Sequence, residues 1–350
     1  MQDDSGRQQP GRPSGPKVVV TAPANTGRPP AAPPPVPTSE IYAGRSETPP
    51  PADSSSTGRV DHLAQGPVVV PPVRLGEHRQ PVSGLLVSVI AALLVGGLGV
   101  LALRNETTPD AIPLLRATGP IFWIAAGTVI LLSAAGAQFA ELSARVAAAA
   151  VGQSRDRTGT YSAWLVAAAA TSAGVLLIAT YHSVPTLVLA ALLVLVSIFV
   201  ALLSRDLLDD LTDSAVRVAS LLHGAVIHLI AFVALSMIYL NKLPEWISAG
   251  LVASISGMLI LEALQRAEIS TARRLGYAGL GAIVMGQCAI AINWWLTWNW
   301  IGGIALLVCF FMVTGVLLTY SQQSDLRPRD IAFYGGLGSV ALAAIAVLAL

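Results

Sequence analysis

The chain has 350 residues, of which 54% are hydrophobic and only 12% charged, about half the charged share of an ordinary soluble domain, so the charges are too few to cover a water-soluble surface. A formal net charge of +1, with Lys and Arg spread over many connections, provides no basic field for nucleic acid. Two cysteines, Cys288 and Cys309, each inside an apolar stretch, offer no disulfide framework and no cysteine-rich metal site.

Residues 1–82 hold 17 of the 23 prolines. Stretches such as GRPPAAPPPVPTSE and SETPPPADSSSTGR show neither helical nor strand periodicity from which a core could be built, and the segment is expected to be a disordered tail. The run from Pro33 to Pro37 has the composition that aromatic grooves of partner proteins take as polyproline II, which makes the tail a candidate partner-binding segment. No secretory signal peptide is visible, because the N-terminus is polar where an apolar stretch is required.

From residue 83 onward the chain reads as an all-α, polytopic transmembrane bundle of about nine spans. A hydrocarbon core near 30 Å takes about 20 residues of helix, and a charge at its centre costs roughly 2.5–3.5 kcal/mol, so runs with no charge in their interior mark the crossings. They fall at 82–103, 120–138, 160–180, 184–203, 216–240, 246–264, 275–292, 300–320 and 331–350. The 47 uncharged residues between Arg157 and Arg205 are too long for one span and fit a hairpin turning at Tyr181 to Pro185. The 50 from Leu275 to Ser324 fit another, with NWWLTWNW as its loop. After the second span the helix is expected to continue into water through AELSARVAAAAVG, pairing Glu141 with Arg145 at i,i+4. Helices are required because backbone groups in lipid must be bonded within their own segment, and nothing alternates like a barrel strand.

With nine spans the short connections fall on two sides. One side carries 12 Lys and Arg, the other only Arg104, Arg116 and Lys242. This bias places the N-terminus in the cytoplasm and the C-terminus outside. Six of the seven tryptophans, Trp123, Trp246, Trp294, Trp295, Trp298 and Trp300, map to the outer boundary, with Trp164 on the inner side. Interfacial anchoring explains them, since the ring is buried while its N–H stays wet.

Two groups are candidates for chemistry. Asp209, Asp210 and Asp213 form DDLTD between spans four and five, a spacing that can hold magnesium against a diphosphate. This motif resembles the Asp-rich motif of intramembrane prenyltransferases. It stands in the loop after span four, however, where that family uses the loops after spans two and six, and the loop after span six offers only Glu262 and Glu268. Helix capping by Asp213 or Ser214 at the start of span five accounts for the same residues. His223 and His228 lie within span five, and ionisable residues at that depth are candidate functional groups. Five residues turn a helix by about 140°, so the two do not share a face and do not chelate one metal. A neutral histidine bonded to a neighbouring helix is the plainer reading, with a proton relay through His228 beside it. No charge is expected in any span interior, and no nucleophile motif, phosphate loop or zinc-protease signature occurs. No catalytic residue, metal site or cofactor is assigned.

The stretch GAIVMGQCAIAINWWLTWNWIGG, followed by TGVLLTYSQQSDLRPRD, resembles the C-terminal part of an uncharacterised family of bacterial multi-pass membrane proteins, a domain of unknown function. The resemblance covers the membrane portion from residue 83 and leaves the tail outside. It implies a bacterial plasma membrane location and transfers no activity.

The leading expectation is a non-enzymatic membrane protein whose bundle anchors the tail and assembles with other membrane components. Two alternatives stand beside it. One is a transporter or lipid-handling protein using the bundle interior; the other is a lipid-diphosphate enzyme using the Asp209 to Asp213 motif.

Overall fold

The computed structural model describes residues 81–104, 114, 118–150, 162–208, 213–267, 269–294, 300–323 and 328–349. Residues 1–80 of the expected tail lie outside them, and its last two residues open the first helix. Among the described residues there is no strand, and nine helices are long and apolar enough to cross a membrane. They are α1 (Pro81–Arg104), α2 (Gly119–Ala150), α3 (Ala163–Tyr181), α4 (Val184–Leu208), α5 (Asp213–Leu240), α6 (Glu245–Ala263), α7 (Thr271–Trp294), α8 (Ile301–Gln323) and α9 (Pro328–Ala349).

The helix ends follow local chemistry. α3 stops at Tyr181, where His182 takes a left-handed conformation (φ 35°) and its N–H returns to the Ile178 carbonyl. Ser183 then bonds Thr186 at 2.6 Å as α4 begins, which completes the hairpin turn. Pro244 stands at the N-cap of α6, and its carbonyl accepts the N–H groups of Ile247 and Ser248. Proline suits a helix start because its missing N–H would have had no partner there. α6 closes in a short 3-10 turn, Leu264–Arg266. Arg274 braces the following bend by donating to Gln265 at 2.7 Å and to the Ala267 and Ile269 carbonyls.

α3 is the hub, packing against α1, α2, α4, α5 and α6. Its sequence explains this position, since Ala167 to Ala170, Ala173 and Gly174 are all buried, and small residues let helix backbones approach where lipid gives no hydrophobic drive. α5 is the second strut, in contact with α3, α4, α6 and α8. α9 sits at the edge against α8. Within the apolar stretch of each helix, 78% is buried for α3 and 6% for α9, so α9 belongs to the lipid-facing perimeter. The large apolar side chains left outward, such as Leu93, Ile124, Leu131 and Val340, are where a bilayer would meet the bundle.

α2 differs from its expected surroundings. At 32 residues it is about 48 Å long by the helical rise, more than a bilayer core requires. Arg145 does donate to Glu141 at 2.8 Å across one turn, yet Glu141 is buried and not solvated. One side of the overhanging turns, with Ala140, Glu141 and Ala148, is buried, while Phe139 and Val146 point outward.

Candidate functional site

Four helices meet at one end of the bundle around charge. Arg205 lies in the last turn of α4, which runs past the expected boundary at Leu203. Glu262 stands one residue before the end of α6, His223 is in the third turn of α5, and Ser162 is the N-cap of α3. Arg205, Glu262, His223, Ser162 and Ser204 are all buried.

Arg205 holds the group together. Its Nη2 donates to Glu262 Oε1 at 2.5 Å and to Ser162 Oγ at 2.8 Å. Side-chain exposure of the two ions is 3% and 1%, so the pair is removed from water. Desolvating two ions costs several kcal/mol each, which is offset only by good geometry and added hydrogen bonds. Arg205 Nη1 and Glu262 Oε2 are also buried and have no hydrogen-bond partner among the described residues. The site thus keeps one donor and one acceptor in reserve.

His223 bridges two proton-carrying groups. Its Nδ1 lies 3.1 Å from Ser204 Oγ, and its Nε2 lies 3.6 Å from Glu262 Oε1, slightly beyond a direct hydrogen bond. Ser204 Oγ also lies 2.8 Å from the Ala201 carbonyl, an acceptor that competes for its one hydrogen. When that hydrogen points to Ala201, Nδ1–H must donate to Ser204, and Nε2 is left facing a carboxylate. When the hydrogen points to His223, Nε2–H faces Glu262 in the neutral ring. The same heavy-atom frame therefore accommodates both tautomers of the neutral ring.

The other candidates are placed elsewhere. Asp209 and Asp210 lie outside the described residues, and Asp213 opens α5. His228 turns to another face of α5, as the 140° offset requires, and meets Phe310 and Phe311 of α8 with ring centroids 5.6 and 5.9 Å away. Its Nδ1–H donates to the Gly224 carbonyl at 2.8 Å, within its own helix and not across to a neighbour. Among the described residues no three His, Cys, Asp or Glu gather as metal ligands. At the other end of the bundle Trp300 stacks on Tyr181 and Phe232 at 6.2 and 5.8 Å, and Trp294 donates to Glu245 at 2.7 Å. Trp295 and Trp298 lie outside the described residues.

The charge pattern reads Arg205 as a loop residue bounding a span and Glu262 as a residue near a span end; the structure buries both side chains. Their partnership spans 57 residues of sequence, so spacing carries no signal of it. One hint was available, since Arg205 follows a 47-residue uncharged run within the same helical register as Ser204.

The family model described as "Protein of unknown function (DUF5656)" matches residues 105–348. The chain belongs to this family. The DUF5656 match takes in α2 through nearly all of α9, including every residue of the buried group, while α1 lies ahead of it. No curated protein matches the chain, and no solved structure does. DUF5656 carries no activity to transfer, so the functional reading rests on the site.

Proposed function

We propose that this chain is a non-enzymatic integral membrane protein that handles protons in its bundle interior, a transporter-class protein working through His223 and Glu262 beside Arg205. The observation that carries the reading is His223 held between Ser204 and Glu262 in a site closed to water. A buried ionisable group in a membrane bundle marks ion or proton handling more often than packing. In this reading His223 passes a proton between Glu262, which stands beside Arg205, and the hydroxyl of Ser204. Proton entry into reconstituted vesicles, read with a pH-sensitive dye, tests this. Wild-type protein is expected to conduct under an imposed gradient, with strong loss in Glu262→Gln and His223→Asn. Equal flux in wild type and both folded variants, or none in wild type, overturns the proposal.

A second reading is supported by residues 1–82, whose proline-rich composition suits a partner-binding tail on a membrane anchor. Here the protein sits in a bacterial plasma membrane with its N-terminus in the cytoplasm, as the Lys and Arg bias supports. Pull-downs with and without residues 1–82 test it, and identical partner lists would count against the tail. The lipid-diphosphate reading gains no support. Glu262, the acid it needs after span six, is already committed to Arg205.

A further inference from the structure

α7 and α8 form an antiparallel hairpin whose register is set at its open end. Tyr277, early in α7, meets Tyr320, late in α8, with ring centroids 5.6 Å apart. Gly281, one turn further along α7, lies against Val313 and Leu317 of α8, and the absence of a side chain lets the helices close up there. Eleven residues on from Tyr277 is Cys288, and eleven back from Tyr320 is Cys309. Eleven residues make about three turns with only about 20° left over, so both steps return to the contact face. The register places the two thiols opposite each other across the α7–α8 contact.

Their depth decides what can reach them. Cys288 lies six residues before Trp294, the end of α7, about 9 Å along the axis, and Cys309 lies about 12 Å past the start of α8. Both positions are within the hydrocarbon layer of a bilayer about 30 Å thick. Both cysteines are free and only half-buried, so the pair is approached from the lipid. Charged thiols such as glutathione are excluded from that layer by the cost of desolvation.

We propose that Cys288 and Cys309 are a membrane-embedded dithiol that closes reversibly to a disulfide between α7 and α8, with a lipid-soluble quinone as oxidant. In this step both S–H bonds break and one S–S bond forms. The two electrons and two protons pass to the quinone, which leaves as the hydroquinone. No thiolate or other charge is left in the apolar layer, which is why this class of oxidant suits the site. The bond ties α7 to α8, the helix that also packs on α5, α6 and α9, so oxidation stiffens one side of the bundle.

The test uses the full chain in lipid vesicles, oxidised with decylubiquinone. Free thiols are then blocked with N-ethylmaleimide, disulfides are reduced, and the released thiols are tagged with polyethylene glycol maleimide under denaturing conditions. Because the chain has only two cysteines, oxidised wild type is expected to gain two tags per monomer. Cys288→Ser and Cys309→Ser are expected to gain none. Untagged wild type after both quinone and diamide overturns the proposal, as does a tag that persists in either single variant or a cross-linked dimer on a non-reducing gel. Tagging with diamide but not with the quinone overturns the lipid-side oxidant.

Discussion

Arg205 and Glu262 face each other from the ends of α4 and α6 at 2.5 Å, and almost nothing of either side chain reaches solvent. Each ion is tolerable in that place only because of the other. The pair therefore has an asymmetric mutational signature, and the first prediction follows from it.

Glu262→Ala leaves a buried guanidinium uncompensated and is expected to destabilise the protein by about 3–5 kcal/mol, whereas the double replacement Arg205→Met, Glu262→Met recovers most of that loss. Unfolding in detergent with increasing denaturant measures both. A double variant as unstable as the single one would show that the ion pair is not what fixes this corner. The double variant also separates stability from function, since it is expected to fold and yet carry no proton flux.

Gly303 of α8 and Gly335 of α9 form a contrasting pair. A Cβ at Gly303 would run into the side chain and Cα of Ser236 in α5, while one at Gly335 meets nothing within 4 Å. Gly303→Ala is expected to cost about 1–3 kcal/mol by overpacking, and Gly335→Ala to stay within about 0.5 kcal/mol of wild type. Thermal unfolding of the two purified variants distinguishes them.

Trp300 is held between Tyr181 and Phe232, whereas Trp294 is 72% exposed and reaches only Glu245. Trp300→Ala should lose roughly 1–3 kcal/mol from two aromatic contacts, and Trp294→Ala much less. If the aromatic end of the bundle gripped a lipid or sugar instead of anchoring itself, the order of these effects on ligand binding would reverse. Parallel stability and lipid-retention measurements decide.

α9 packs on α8 through Tyr334 over Gly315 and Met312 under Gly338. Its place at the edge predicts that a chain ended at Gln323 retains a folded α1–α8 bundle, including the buried ion pair. Limited proteolysis of that truncation should yield the same protected core as the full chain. Collapse of the core on removing α9 would mean that α9 supports more than its single neighbour.

Nine crossings would put the two chain ends on opposite faces. Reporter fusions at residue 1 and residue 350 should therefore report opposite sides, the N-terminal one cytoplasmic by the Lys and Arg bias.

The helices themselves were legible because lipid prices ions and unpaired backbone far more steeply than any local propensity does. Charge-free runs therefore mark α1 to α9 without reference to packing. The same reasoning sees only where charges interrupt a run, never which of them come together. It gives Arg205, at the edge of an uncharged run, to a loop, because a sum along one dimension gives a residue at a helix end to water by default. It separates His223 from His228, since a helix's angular step is fixed by its own geometry, and offers His228 as the proton relay, whereas the relay proposed above uses His223.

Tertiary structure decided the rest. Only the packing of α3, α4, α5 and α6 at one end brings Ser162, Ser204, Arg205, His223 and Glu262 into contact, across as many as 57 residues of chain. The sequence alone determined that this polypeptide crosses lipid and roughly where, because that follows from the solvation of each segment by itself. Which polar groups are withdrawn from water depends on which helices become neighbours, and that is a property of the assembled bundle, in which the alanine-rich face of α3 lets the others close around it.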